Sequence, residues 1–379
     1  MAHFPRRARF GAGLALAATA AIALTGCATG GDTPAAGGDK VDAATATSVS
    51  DFGTFADLEA AAKAEGALNV IALPRDWANY GEIIDLFAKK YPEITVNESS
   101  PDVSSAEEIQ AAKTNKGLDT APDTFDLGIA VALQNTDVFA PYKVQTWDDI
   151  PANLKESTGL YVGDYGGYMS VGYDSSKFPE PKALDDLLGA DYKGAVALNG
   201  DPTQAGAAFA AVGLATVQSD GTLDDFQPGI DFFSEMQKAG NLLKVDATTA
   251  TIASGETPVV FDWDYLNASH QKDNKNWKVV VFPGTGYSSY YNQAINKDAP
   301  HPAAARLWQE FLYSDEVQNL WLKGGARPAR VDAMTTAGTI DKDLLAKLPE
   351  APKETVLPTE KQSADAGKLL GEKWAAAVQ

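Results

Sequence analysis

Cysteine and histidine are nearly absent from this chain of 379 residues: there is one cysteine, Cys27, and there are three histidines. A single cysteine cannot form an internal disulfide. His3 lies in the extreme N-terminal segment, so a processed chain keeps only His270 and His301. Neither stands in H-E-x-x-H or another ligand spacing, which excludes the common zinc sites. His301, between Pro300 and Pro302, reads as a helix-opening residue, and His270, near Ser269 and Lys272, as an exposed helix-end residue. The chain also lacks a G-x-S-x-G elbow, a phosphate-binding Walker loop and a G-x-G-x-x-G turn between strand and helix. Positive charge is scarce, with 31 Lys+Arg against 51 Asp+Glu and a net charge of −20. So acidic a chain is a poor partner for nucleic acid or an anionic membrane. Beyond the N-terminus no apolar run approaches the roughly 18 residues that a membrane span needs. No metal or cofactor is expected.

The N-terminus itself carries a strong signal. Arg6, Arg7 and Arg9 precede a run of small apolar residues from Gly11 to Leu24, and Leu24-Thr25-Gly26-Cys27 follows. A basic end, an apolar stretch of about 10–15 residues and a small-residue cut site make a secretory signal rather than a span. The L-T-G-C pattern resembles the lipobox of bacterial lipoproteins, which implies cleavage before Cys27 and lipidation of that residue. The Arg6-Arg7 pair also raises twin-arginine export, although its flanks fit that signal poorly. Removal of residues 1–26 takes away three arginines and no acid, moving the net charge from −20 to about −23. Residues 28–50 contain no aromatic side chain and are mostly Ala, Gly, Thr, Ser, Asp and Val, so they read as a flexible tether.

The remaining ~330 residues suffice for two compact lobes. Thr54-Phe55-Ala56-Asp57 reads as a helix cap, the helix running to Glu65 and ending at Gly66. Leu68 to Leu73 reads as a buried strand, Pro74 to Tyr80 as a loop, Glu82 to Tyr91 as an amphipathic helix and Ile94 to Val96 as a strand. That is a βαβ unit, and the same rhythm continues to Lys323, which argues for an α/β architecture.

Three clusters stand out at predicted strand ends, where open α/β sheets bind ligands, and a fourth group is set apart from them. Arg75, Asp76, Trp77 and Tyr80 form the first; the rings also serve equally well as cover for a helix end. Asp201 and Thr203, in a turn that opens a helix, form the second; turn and cap chemistry explains them as well. Asp262, Trp263, Asp264 and Tyr265 form the third, two carboxylates and two rings in four residues. Rings beside carboxylates suit an ammonium ion. If strand alternation persists, Asp262 and Asp264 point the same way. Tyr287 and Tyr290 belong to a tyrosine-rich stretch that either lines the same cleft or simply favours a strand.

The stretch Tyr291-Asn292-Gln293-Ala294-Ile295-Asn296-Lys297-Asp298-Ala299-Pro300-His301-Pro302, with Gly324-Gly325-Ala326-Arg327-Pro328 beyond it, resembles the C-terminal signature of bacterial solute-binding lipoproteins of ABC importers. The likeness covers roughly residues 54–330 and is nearest the ferric iron, thiamine, phosphonate and polyamine branch. It implies a two-lobe periplasmic-binding-protein-like fold (type II) with a ligand cleft between lobes, closing by a hinge. The expected organisation is a signal peptide over 1–26, a lipidated cysteine and tether over 27–50, and lobe 1 from 51–160 plus 285–340. Lobe 2 then covers 161–284 and a C-terminal helical segment 341–379. The resemblance further implies a monomer outside the cytoplasmic membrane, held there by lipid alone, that binds a small-molecule solute and delivers it to a permease and ATPase without chemistry. Iron binders of this branch carry adjacent tyrosines where this chain reads Asp262-Trp263-Asp264-Tyr265. Tyr290-Tyr291 lie one strand region later, and neighbours on a strand face opposite ways. Polyamine binders use Trp and Asp there, so an amine-bearing, polyamine-like solute is favoured. Aminophosphonate, thiamine or ferric ion are alternatives, and an exported α/β hydrolase is the rival from another class.

Overall fold

The computed structural model describes residues 42–348 and 352–378. The signal segment, Cys27 and the tether up to residue 41 lie outside the described residues. From Asp42 onward the expected tether is packed: Ala46 and Val49 are buried, and the buried Arg306 donates from Nε to the Ala46 carbonyl at 2.7 Å and from Nη2 to that of Ala44 at 2.9 Å. An all-small sequence is thus held by a distant guanidinium, which composition does not reveal.

Local signals place the first elements closely. Thr54 caps the helix Phe55–Glu65: its hydroxyl accepts from Asp57 N, Asp57 Oδ2 accepts from Thr54 N at 3.0 Å, and Gly66 ends the helix in the left-handed region at φ 75°. Strand β1 (Ala67–Ile71) follows, then the helix Tyr80–Lys90, whose Ile83, Ile84 and Phe87 are buried, then β2 (Thr95–Ser99) parallel to β1. Phe87 meets Trp308 and Phe311 of the helix Pro302–Leu312 at 5.1 and 5.2 Å between ring centres.

The second sheet contains β3 (Thr124–Leu127), β4 (Phe139–Ala140), β5 (Val162–Asp174), β6 (Val196–Leu198), β7 (Val259–Trp263), β8 (Trp277–Val280), β9 (Thr285–Asn296), β10 (Arg327–Pro328) and β11 (Glu354–Val356). It is mixed rather than parallel throughout. Only β6–β7 and β9–β11 run parallel, while β5 and β9 are long antiparallel strands that most of the others flank. The first half of β5 pairs with β9 and β10 and its second half with β7 and β8. One strand therefore serves two groups of neighbours, and this α/β arrangement is the two-lobe fold expected.

Against the sheet lies the Ala-rich helix Gly206–Gln218, buried without interruption from Ala207 to Thr216. Its small side chains permit close approach. A Cβ on Gly206 would come within 3.0 Å of Gly128 Cα, and one on Gly213 within 2.2 Å of the Tyr287 ring. The C-terminal helix Glu360–Ala377 packs on both the Ile129–Gln134 and Gln227–Ala239 helices, with Trp374 edge-on to Phe233. No described helix is long and apolar enough to cross a membrane.

Candidate functional site

The carboxyl ends of β1, β2, β3, β6 and β7 converge on a cleft of about 400 Å³. This is where an open α/β sheet leaves space, because chain leaving each strand turns aside into a loop or helix. One wall is formed by the loops after β1 and β2 and by the start of the helix Ser105–Thr114, with Asp126 of β3 behind them. The other holds Asn199 to Asp201, Gln204 to Ala207, Asp246 to Thr249, Ile252, Asp262, Leu266, Ser269 and His270.

Carboxylates dominate the lining. Asp76, Asp102, Glu107, Glu108 and Asp126 come from the first wall, and Asp201, Asp246 and Asp262 from the second. Among the described residues no lysine or arginine lines it. Trp77 and Tyr291 supply aromatic surface, edge to face with centres 5.7 Å apart.

The loop that carries Trp77 is backbone-strained. Ala72, Ala78 and Asn79 all have positive φ, at 57°, 45° and 70°. Such conformations cost on the order of 1–3 kcal/mol each and persist where surrounding contacts impose them. Here Trp77 donates from Nε1 to Tyr165 Oη at 2.8 Å, and Asn79 donates from Nδ2 to the Leu320 carbonyl at 3.0 Å.

Beneath the rings, Asp126 Oδ2 accepts from Tyr165 Oη at 2.8 Å and from Tyr80 Oη at 3.1 Å, while its Oδ1 is buried with no hydrogen-bond partner. Glu108 Oε2 accepts from the Asp126 backbone N–H at 3.0 Å. Gln293 Nε2 links Tyr80 Oη to Asp164 Oδ2, each at 2.9 Å. Burial pushes Asp126 up to about 7 and Glu108 well above the usual carboxylate range. Burial also pushes Asp262 up to about 7, despite bonds from Trp263 N to its Oδ1 and from Asn199 Nδ2 to its Oδ2. Asp246 is raised by burial and then by the charge of Asp201. Among the described residues no group of three or more His, Cys, Asp or Glu has the geometry to hold a metal ion.

Of the residues expected from the sequence, Asp76, Trp77, Asp201 and Asp262 line the cleft. The others stand elsewhere. Arg75 is turned to the surface, paired with Asp85 and with Glu98 at 2.8 Å, because those acids flank it on the adjacent helix and strand. Tyr80 is fully buried behind Asp126, and Thr203 Oγ1 is spent on Asp201 Oδ1 within the turn, at 2.6 Å. Trp263 and Tyr290 border a small recess beside the cleft, with Thr203. Tyr265 and Tyr287 are buried, the latter against Gly213.

Asp264 corrects the expectation of a paired Asp262 and Asp264. Strand β7 ends at Trp263 and a helix begins at Asp264, so the alternation stops between them. Asp264 instead accepts from Arg327 Nη1 at 2.9 Å and from the Tyr168 and Tyr265 N–H groups at 3.1 Å. His270 is half-buried at the cleft rather than exposed, and burial lowers its pKa. His301 stands at the cap of Pro302–Leu312, as the sequence implies, and its Nδ1 lies 2.9 Å from Asp123 Oδ2.

Sequence reasoning passed over Glu108, Asp126, Asp246 and Tyr291 as site residues. Two of these left a trace. Asp126 is a carboxylate between Phe125 and Leu127 in a buried strand, and Glu108 shares a helical face with the buried Ser105, Ile109 and Ala112.

Residues 123–350 match the family described as bacterial extracellular solute-binding protein. No curated protein sequence matches the chain. Among solved structures, the periplasmic binding protein P5PA is similar at 19% identity over 83% of this chain and 100% of its own, with a TM-score of 0.66. AfuA from Actinobacillus pleuropneumoniae, with fructose-6-phosphate bound, is similar at 18% identity, covering 83% and 98%, TM-score 0.66. The spermidine/putrescine substrate-binding protein PotD from Streptococcus pneumoniae is similar at 13%, covering 83% and 99%, TM-score 0.56. At such identities the likeness is one of fold.

Proposed function

We propose, from the premise that the chain belongs to the bacterial extracellular solute-binding proteins, that it serves an ABC importer and that its solute is a small organic cation bearing at least one amine. The acidic lining carries this reading: eight carboxylates and, among the described residues, no lysine or arginine border the cleft. A phosphate placed about 5 Å from one such carboxylate meets on the order of 3 kcal/mol of repulsion per charge pair at an effective dielectric near 20. An ammonium gains where the phosphate loses, and Trp77 and Tyr291 add ring faces suited to it. A polyamine, as in the name of PotD, fits this chemistry better than a sugar phosphate.

The protein performs no reaction in this reading. Solute bridges the two walls, stabilises their approach, and the permease recognises the result. The hinge falls in β5 and β9, which begin at Val162 and Thr285. Cys27 anchors the chain by lipid, and Cys27→Ser should leave the precursor uncut or release the protein from membranes; a mature N-terminus elsewhere refutes the anchor.

A solute that also carries an acidic end, such as an aminophosphonate, is the second reading. It is favoured by the helix Gly206–Gln218, whose first turn opens on the cleft without a side-chain cap. Thermal-shift and calorimetric titration of the exported protein with putrescine, spermidine, thiamine, an aminophosphonate, a sugar phosphate and ferric ion separates these. A ligand at 100 times its Kd should add about 2.7 kcal/mol of stability. Tight binding of a purely anionic solute ends the cationic reading, and turnover of any compound ends the reading as a binder.

A further inference from the structure

Resting on the cationic reading of the cleft, we propose that Asp126 is the seat of the solute's ammonium group and gives up its own proton when that group arrives, so that capture of the solute is coupled to release of a proton.

The geometry singles out Asp126 among the acids. Asp262 has both oxygens already hydrogen-bonded, to Trp263 N and Asn199 Nδ2. Asp201 spends Oδ1 on its own turn. Asp126 is buried and borders the cleft, and its Oδ2 accepts from both Tyr80 and Tyr165. Its Oδ1 has no partner. A buried acceptor left bare is unfavourable, and an N⁺–H donor is the group that best satisfies it. The two phenols are themselves fixed, Tyr165 Oη accepting from Trp77 Nε1 and Tyr80 Oη from Gln293 Nε2. The seat is therefore pre-formed, with the Trp77 and Tyr291 rings beside it.

The titratable groups around Asp126 are Glu108 from the Ser105–Thr114 helix, Asp164 from β5 through Gln293, Asp262 from β7, and the phenols Tyr80, Tyr165, Tyr265, Tyr291 and Tyr313. All are acids, so nothing among them stabilises the Asp126 carboxylate as a cation would. Burial accordingly holds Asp126 up to about 7, and near neutrality it is partly protonated. An ammonium in contact with the carboxyl favours ionisation. The O–H bond breaks, the proton passes to solvent, and the buried positive charge of the solute replaces it. No other reagent is needed.

Calorimetric titration of the full exported chain with putrescine, which stays dicationic from pH 5.5 to 8.5, tests this in buffers of differing ionisation heat. Affinity should fall roughly 10-fold per pH unit below 7, with close to one proton released per ligand at pH 6. Asp126→Asn, which preserves the shape, should bind at least about 30-fold more weakly at pH 8 and lose most of the slope. Asp262, also held near 7, is the competing source, and Asp262→Asn should keep the slope. If Asp126→Asn does not fold, the wild-type infrared spectrum decides: a protonated-carboxyl band present at pH 6 should disappear on adding putrescine. Binding of putrescine with a flat pH profile, an unchanged slope in Asp126→Asn, or a slope lost only in Asp262→Asn overturns the coupling and leaves the cationic reading intact. Failure of the wild type to bind any amine overturns both.

Discussion

Thr249 donates through its hydroxyl to Asp76 Oδ2 at 3.2 Å, joining residues 173 positions apart across the mouth of the cleft. Both residues border the cavity, Asp76 from the loop after β1 and Thr249 from the helix that follows Asp246. It is the kind of contact that forms only when the two walls stand close. Being exposed, it contributes a fraction of a buried bond, about 0.5–1 kcal/mol. Thr249→Val should therefore leave the melting temperature almost unchanged and weaken solute binding about 2- to 5-fold, read by calorimetry. A change larger than 30-fold would mean that Thr249 touches the solute itself.

Asp264→Ala should act on stability before it acts on binding. The Asp264 carboxylate is buried with Arg327, whose guanidinium also lies 4.2 Å from the centre of the Tyr168 ring. Removing the acid breaks a buried ion pair and takes its carboxylate away from a mostly buried guanidinium, a loss of about 3 kcal/mol. Denaturant unfolding measures it. Unchanged stability with weakened binding would return Asp264 to the cleft, as its sequence neighbourhood implies.

Gly128 and Gly206 bring two helix starts into backbone contact. A Cβ on Gly128 would lie 2.8 Å from Gly206 Cα and 3.3 Å from Gly206 N. Gly128→Ala is expected to destabilise by about 1–3 kcal/mol through backbone displacement, although φ at −61° is itself allowed for alanine. Because Gly206 borders the cleft, binding should weaken too. A variant as stable as the wild type would show that the helix starts yield freely.

Stability should decline as pH rises from about 5 to 8. Burial raises Asp126, Asp262 and Glu310 to about 7. Each binds a proton more tightly folded than unfolded, so its contribution is full below the unfolded value near 4 and is lost as pH passes 7. His301, raised mainly by its bond to Asp123, acts in the same direction above its unfolded value near 6.5. His270, lowered by burial, opposes them as it loses its proton. The balance of three carboxyls and one histidine against one histidine gives a falling melting temperature in calorimetric scans at low salt. A flat or rising profile would contradict the burial of these carboxyls.

Much of the scaffold was legible because its signals are local. The Thr54–Asp57 box and Gly66 bracket one helix, and apolar runs mark β1, β6 and β7. The long antiparallel strands β5 and β9 were read only in part. Val162–Asp174 contains four glycines and Thr285–Asn296 is rich in polar and tyrosine side chains, so neither shows a simple apolar period. Their pairing is set by partners up to 171 residues away, as between Thr124 and Ile295.

The candidate site divides the same way. The C-terminal signature placed the chain among solute binders, while the scarcity of histidine and cysteine argued against the common zinc sites. Which acids face the cleft could not be read there, since a carboxylate's exposure and partners depend on what other segments bring to it. Asp264 and Asp126 make the contrast. The first sits in an aromatic, acidic cluster yet is neutralised by Arg327, 63 residues on. The second sits in a short buried strand yet lines the cleft, its Oδ2 held by Tyr80 and Tyr165. Composition and periodicity are properties of the chain; desolvation and charge pairing belong to the packed interior, and only the tertiary structure decided them.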